Sequence, residues 1–192
     1  MALQYEILEN NVPKITGENY RVKLQAQETE QEAIDKAEQY IESIHAPLRS
    51  QLKKQVSELR DEYRDRGIEI DGVKWYTDDK SVKDLTSKAI GQVLEAMREG
   101  KEYDQITFDK WKTKSGFVEN LTLDQAVAIA RKIELFIQTC YNIEGDFETN
   151  VIDGDDPFSV DVDEYVSQLD TYFSENKDTL GFEVLESQEE FI

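Results

Sequence analysis

Residues 68–81 read IEIDGVKWYTDDKS, and residues 106–122 read ITFDKWKTKSGFVENLT. In the first stretch, apolar residues alternate on both sides of Asp71-Gly72 as far as Trp75. This dipeptide readily supplies the two positive-φ positions that a two-residue type I′ turn requires. The first stretch therefore predicts a tight β-hairpin.

The second stretch predicts another hairpin around the second tryptophan. Apolar and polar residues alternate up to Trp111, the chain turns near Lys114-Ser115-Gly116, and apolar residues resume afterwards. Glycine in a hairpin loop commonly adopts the left-handed αL conformation. We therefore expect a longer loop here, with Gly116 in that conformation.

A helix is predicted after each hairpin. Ser81 is expected to cap the first of these helices, which should end near Gly100 because glycine commonly follows the last helical residue. Thr122 and Gln125 have the spacing of a capping box at the start of the second. Residues 67–143 thus predict a compact α+β unit.

These two hairpin-and-helix stretches resemble a phage domain family of unknown function that occurs in tail-fibre proteins and tail-fibre assembly accessories. The resemblance implies no catalytic residue, since the family has none assigned. The resemblance covers about 80 residues. Most of it depends on a motif of eight residues, which are Asp71, Gly72, Trp75, Asp78, Ser81, Trp111, Gly116 and Thr122. The further matching positions are Val73, Leu85 and Leu121.

The chain before residue 67 is expected to form two segments. Residues 1–27 predict a strand pair around a turn at residues 16–19. Residues 28–66 predict two helices, the first opened by a capping box at Thr29. A break is expected at His45-Ala46-Pro47, because proline disfavours helical backbone in the residue before it. The two helices would form a helical hairpin or a short oligomeric coil.

An acidic C-terminal arm is predicted over residues 146–192, following a central domain at 67–145. It contains 15 acidic residues and one basic residue, Lys177. Its apolar residues have helical spacing over roughly 161–175, so we expect an amphipathic helix whose apolar side packs on a partner or on the chain's own core. The candidate partner-binding residues are Tyr165, Leu169, Tyr172, Phe173, Phe191 and Ile192.

Few residues suggest reaction chemistry. Asp153, Asp155 and Asp156 are rich in oxygen ligands, but they lack the spacing of a calcium loop, so an ordinary turn is the favoured interpretation. His45 is the single histidine and is expected to be an exposed capping or linker residue. The sequence shows no glycine-rich phosphate loop and no basic–aromatic face. It therefore predicts neither an enzyme, nor a cofactor, nor a nucleic-acid partner.

The composition predicts an ordered protein. Of the 192 residues 39% are hydrophobic, the formal net charge is −20, and there is one cysteine. No apolar stretch approaches the length of a membrane span, so a soluble protein with no membrane partner is expected. The single cysteine fits synthesis in a reducing cytoplasm, and the resemblance to phage proteins implies that this is the cytoplasm of the host and that the final place is the virion tail.

Three classes of function fit these features. The first is a structural adaptor of the phage tail that binds tail-fibre or baseplate proteins. The second is a non-structural chaperone for tail-fibre assembly. The third is an acidic inhibitor that mimics DNA and blocks a host enzyme. The sequence favours the adaptor, because apolar anchors near both ends of the chain suit permanent contacts with neighbours. It leaves open whether the protein also forms a homo-oligomer.

Overall fold

The computed structural model describes residues 2–17, 20–154 and 156–186. It confirms a mixed α+β fold, with four α-helices and three small antiparallel sheets in these residues. The chain divides into two compact units, each built from two separate stretches. One unit comprises residues 1–57 and 144–165, and the other comprises residues 58–143 and 166–192.

The first unit contains a three-stranded sheet. Its strands are β1 (Gln4–Leu8), β2 (Val12–Gly17) and β3 (Tyr20–Lys23), in the order β1-β2-β3. The sequence predicted only a pair of strands. The missed turn lies at Asn10 and Asn11, which have φ of 61° and 52°. Asparagine tolerates this left-handed conformation better than most residues, so the Asn-Asn dipeptide was the available signal.

Helix α1 (Glu30–Asp65) begins in the first unit and continues into the second. Its first turn has the predicted capping box, in which the Thr29 amide donates to Glu32 and the Glu32 amide donates to Thr29 Oγ1. The predicted helical hairpin is wrong, because the helix runs through Pro47 without ending. Proline removes one backbone hydrogen bond, and a 36-residue helix retains enough others to continue past it.

The second unit contains the two predicted hairpins. Strands β4 (Ile68–Ile70) and β5 (Val73–Trp75) are joined by Asp71 and Gly72, whose φ values are 51° and 79°. Strands β6 (Thr107–Thr113) and β7 (Gly116–Thr122) form the other hairpin. Its loop is only the two residues Lys114 and Ser115, because Thr113 pairs with Gly116. Gly116 has φ of 129°, so the expected αL conformation is wrong.

Each hairpin leads into a helix, as predicted. Helix α2 (Asp79–Arg98) ends with Gly100 at φ of 69°, whose amide bonds to the Met97 carbonyl. Helix α3 (Leu123–Phe147) begins with the predicted capping box of Thr122 and Gln125. A π-helical turn (Glu148–Ile152) follows α3, and a 3₁₀ turn (Tyr103–Gln105) precedes β6.

The expected C-terminal arm belongs instead to the cores of the units. Helix α4 (Asp163–Leu180) buries Tyr165 in the first unit, and buries Leu169 and Phe173 in the second. Strand β8 (Glu183–Val184) pairs antiparallel with β4, which gives a sheet of order β5-β4-β8. The core of the second unit therefore includes aromatic contacts among Tyr63, Phe136, Phe173 and Phe182.

Candidate partner-binding site

The turn of the second hairpin is hydrogen-bonded to strand β5 of the first. The Lys114 amide donates to the Lys74 carbonyl at 2.8 Å, and the Lys74 amide donates to Ser115 Oγ at 3.0 Å. Lys114 Nζ also donates to the Asp65 carbonyl at 2.8 Å, and its burial lowers the pKa of this ammonium. These bonds fix the strands that carry Trp75 and Trp111 within one unit.

Both tryptophans are buried. Trp75 is 3% exposed and Trp111 is 8% exposed. Trp111 packs edge-on against Phe108, with the ring centroids 5.4 Å apart. The two side chains are both buried although they are three residues apart in β6, and Asn120 in the paired strand β7 has φ of 54°.

The first turn of α2 is held by a different residue from the one predicted. Asp78 is the N-cap and accepts a hydrogen bond from the Ser81 amide at 2.9 Å, so the prediction of Ser81 as the cap is wrong. Burial favours the neutral acid, but hydrogen bonds from Ser81 and the nearby amides hold the pKa of Asp78 below its ordinary value. A charged Asp78 therefore fixes the start of the helix.

A cavity of about 310 Å³ lies beside this first turn, and we call it the tryptophan cavity. Its volume is at the lower end of the range for ligand pockets. Helix α2, strand β6 and the end of β5 supply most of its lining. Its aromatic and aliphatic lining includes Trp75, Tyr76, Leu85, Trp111 and Ile133, and its charged lining consists of Lys80, Asp84, Lys88 and Lys112.

The three lysines of the tryptophan cavity outnumber its one aspartate, although the chain as a whole is acidic. In the part of the chain that the structure describes, none of them forms an ion pair with a carboxylate. Elsewhere, Lys53 pairs with Asp153 at 2.7 Å and Arg64 pairs with Asp79 at 3.1 Å. Lys88 Nζ lies 6.0 Å from the centroid of the Trp111 ring. The cavity thus combines aromatic walls with excess positive charge.

Trp75, which lines the cavity, also has a hydrogen-bond donor without an acceptor. Its indole Nε1 is buried and has no hydrogen-bond partner among the described residues. Buried tryptophans usually have a partner for this N–H group, because leaving it unpaired costs free energy. A bound acceptor or an ordered water would remove that cost.

A second feature of α2 is an exposed apolar face. Ile90, Leu94 and Met97 are 55%, 62% and 68% exposed, and their spacing of four and three residues places them on one side of the helix. Buried Leu85 and Ala96 lie more than about 100° away around the helix, at 3.6 residues per turn. The apolar arc of α2 is therefore wider than the core that it covers. We call Ile90, Leu94 and Met97 the α2 apolar face.

The predicted partner-binding residues are not brought together as a surface. Tyr165, Leu169 and Phe173 are buried in the chain's own cores, so they are not the exposed anchors that the sequence predicted. Tyr172 is 39% exposed and packs edge-on against Phe173. Phe191 and Ile192 lie outside the described residues.

The candidate metal ligands have other interactions. Asp153 accepts a hydrogen bond from Lys53 at 2.7 Å, and Asp156 lies 3.7 Å from His45 Nε2. Asp155 lies outside the described residues, among which no group of three or more metal-ligating side chains is found. His45 is 8% exposed and packs edge-on against Phe158, so the prediction of an exposed residue is wrong. The continuation of α1 through Pro47 explains this burial.

The chain belongs to a family described as Domain of unknown function (DUF4376), whose model matches residues 47–167. The match includes both hairpins and all the residues that line the tryptophan cavity. No curated protein and no solved structure matches the chain. In the described residues, no helix combines the length and the apolar character needed to cross a membrane.

Sequence reasoning missed the lysines and the α2 apolar face. Lys80, Asp84 and Lys88 follow each other at four-residue intervals, which places them along one side of α2. Lys112 follows the tryptophan of the second hairpin directly. This periodicity was the available signal, but it indicates a binding site only once the hairpins are known to lie beside the helix.

Proposed function

We propose that this chain is a structural protein of a phage tail, an adaptor associated with the tail fibre or the baseplate that acts through protein–protein contacts and not as an enzyme. The resemblance of the hairpin-and-helix motif to tail-fibre and assembly proteins gives the phage context. Membership of an uncharacterised domain family is compatible with this proposal and does not define the partner. The adaptor would be made in the host cytoplasm and then remain in the virion tail.

The α2 apolar face is the observation that carries the proposal. Three large apolar side chains, each more than half exposed, lie together on one helix of a strongly charged chain. Contiguous exposed apolar patches are typical of protein interaction sites, because their burial against a partner releases ordered water. We therefore propose that the α2 apolar face binds a complementary apolar surface on a fibre or baseplate protein.

The direct test is co-expression with the tail-fibre and baseplate proteins of the phage that encodes this chain. Leu94→Glu should abolish co-purification with one of them, because it places a charge in the apolar interface. Leu135→Glu is the matched control, since Leu135 is an exposed leucine on α3 and lies outside the α2 apolar face. Equal effects of the two substitutions would contradict an interface on α2.

Mass spectrometry of purified particles separates the adaptor from the assembly chaperone. An adaptor should be present in fixed copy number, whereas a chaperone should bind the same partner during assembly and be absent from the particle. Light scattering of the purified chain would show whether it self-associates.

Partner binding measured over a series of salt concentrations separates the adaptor and the chaperone from a DNA mimic. Apolar docking should be nearly independent of salt, because screening at physiological ionic strength acts over about 8 Å on charges and not on apolar contacts. Capture of a DNA-binding host enzyme that is lost as salt rises would contradict the adaptor.

A further inference from the structure

We propose that the tryptophan cavity binds an acidic peptide segment of the partner protein, in which two carboxylates flank an apolar side chain in an extended conformation. The inference rests on the proposed function in that it takes the ligand to be a protein. It concerns a different surface from the α2 apolar face.

Charge complementarity is the first argument. The cavity lining has three lysines and one aspartate in a chain whose formal net charge is −20. Within the described residues these lysines have no carboxylate partner, although acidic residues outnumber basic ones by 42 to 22 in the chain. Unpaired cations around a cavity with aromatic walls favour a ligand with negative charge and an apolar portion.

The spacing of the lysines indicates the length of the ligand. Lys80 and Lys88 are eight residues apart on α2, which corresponds to about 12 Å along the helix axis. In an extended peptide, residues i and i+4 point to the same side and are about 13 Å apart. Two carboxylates at this spacing can approach both lysines at once, whereas a single phosphate or carboxylate would require the two side chains to bend toward each other.

The position of Asp84 indicates which type of residue the ligand has at its centre. Asp84 lies halfway between Lys80 and Lys88 on the same side of α2, so it would repel a central carboxylate. Leu85 and Trp111 line the cavity and would instead contact an apolar side chain at position i+2. The expected pattern is therefore acidic–x–apolar–x–acidic.

Trp75 Nε1 adds a donor for which a peptide can supply the acceptor. The indole N–H group is buried without a partner among the described residues, and Trp75 is one of the residues that line the cavity. A backbone carbonyl of the ligand, reached with a small rearrangement of the ring, would accept this hydrogen bond. The indole resonance of Trp75 is thus expected to respond to the ligand.

Intrinsic fluorescence and indole NMR of the full chain test the proposal. The chain has two tryptophans and both line the cavity, so every indole signal reports on the site. The probe is the blocked peptide Gly-Glu-Ala-Phe-Ala-Glu-Gly, and the matched peptide has glutamine for each glutamate. We expect saturable changes with the first peptide at a Kd below about 1 mM and none with the second.

Two charge-matched variants localise the binding. Lys88→Glu should weaken peptide binding about tenfold or more, since it replaces an attraction with a repulsion. Lys83→Glu makes the same charge change on α2 at a residue that does not line the cavity, and should change the affinity less than about twofold. Circular dichroism of both variants checks that they remain folded.

Each other outcome overturns the proposal. Equal weakening by the two variants would show long-range attraction without a site. Indole changes with inorganic phosphate or AMP, and not with the peptide, would identify a small anion as the ligand. No saturable change with any probe would leave the cavity without a ligand of this class. None of these results depends on whether the chain is found in purified particles, so the two proposals can fail separately.

Discussion

At the residue scale, two glycines near the first hairpin require positive φ for different reasons. Gly72 has φ of 79°, and a Cβ added there would meet nothing within 4 Å. Gly67 has φ of 90°, and a Cβ there would lie 2.4 Å from the Trp75 carbonyl oxygen. Gly72 is thus needed only for its conformation, whereas Gly67 is needed for both conformation and space.

The substitutions Gly72→Ala and Gly67→Ala should separate these two costs. Gly72→Ala should lower the free energy of unfolding by about 1–2 kcal/mol through left-handed strain alone. Gly67→Ala should cost more than about 3 kcal/mol, because the strand end of β5 must also move. Urea unfolding measures the free energy of unfolding of both variants. Equal losses of stability would show that the Trp75 carbonyl does not restrict the space at Gly67.

The Asp78 cap should contribute to stability only while it is ionised. Asp78→Ala should cost about 1 kcal/mol at neutral pH. Since the pKa of Asp78 is lower in the folded chain than its ordinary value, the folded state binds fewer protons and the contribution is lost as pH falls through the folded pKa. The difference between the natural chain and Asp78→Ala should therefore shrink below about pH 4.

Asp78→Ser provides the control, because serine caps a helix without an ionisable group. It should retain most of the stability at neutral pH and show no such acid dependence relative to Asp78→Ala. A difference that persists unchanged in acid would contradict the role of the carboxylate.

At this scale the features that depend on a short run of residues, such as a turn or a capping box, were predicted correctly. Asp71-Gly72 and the Thr122 capping box were predicted because neighbouring residues alone decide them. The choice between Asp78 and Ser81 as the cap was not decidable in this way, since both residue types cap helices and lie within one turn. The pairing of β8 with β4 could not be predicted either, because no pattern in the neighbouring residues indicates it.

At the element scale, α1 shows how a long helix tolerates a strong local break signal. Pro47 is exposed and lies inside the 36 residues of α1. Proline in a helix interior is about 3 kcal/mol less favourable than alanine, so α1 must be stabilised by its other contacts. Fully buried Ala33, Ala37, Val56 and Tyr63 are among the residues that supply them.

Pro47→Ala should therefore stabilise the chain. The expected gain in the free energy of unfolding is about 1–3 kcal/mol, because alanine restores an amide donor and no packing is lost at an exposed position. The reciprocal substitution Ala46→Pro at the exposed neighbour should destabilise by a similar amount. Thermal unfolding followed by circular dichroism measures both. A loss of stability in Pro47→Ala would indicate that the proline itself is required.

At the scale of the whole molecule, the acidic last quarter is part of the folded units. The pattern of Tyr165, Leu169 and Phe173 correctly predicted an amphipathic helix, but a periodic apolar side does not indicate which surface covers it. The pairing of Ile68 with Val184 joins residues more than a hundred positions apart, and β8, with two residues, is too short to be predicted from its own sequence. The partition into two discontinuous units follows from such distant contacts.

Phe182→Ala tests this placement. Phe182 is buried against Phe136 and Phe173, so its truncation should cost about 3–5 kcal/mol. Phe117→Ala is the matched control, since Phe117 is exposed and should change the free energy of unfolding by less than about 0.5 kcal/mol. Chemical denaturation gives both values. If Phe182→Ala were as mild as the control, the segment after α4 would not belong to the core.

The pairing of β8 with β4 has a consequence for how the protein is made. Ribosomes deliver β4 early and β8 late, so the hairpin of Ile68–Trp75 must wait for nearly the entire chain before its sheet is complete. Domains often fold in order of synthesis, but here both units need segments that emerge after residue 143. The nascent chain would therefore remain unfinished until late in translation, and a copy that ended near residue 143 would lack part of each core and expose aromatic residues such as Phe136 that the later segments cover.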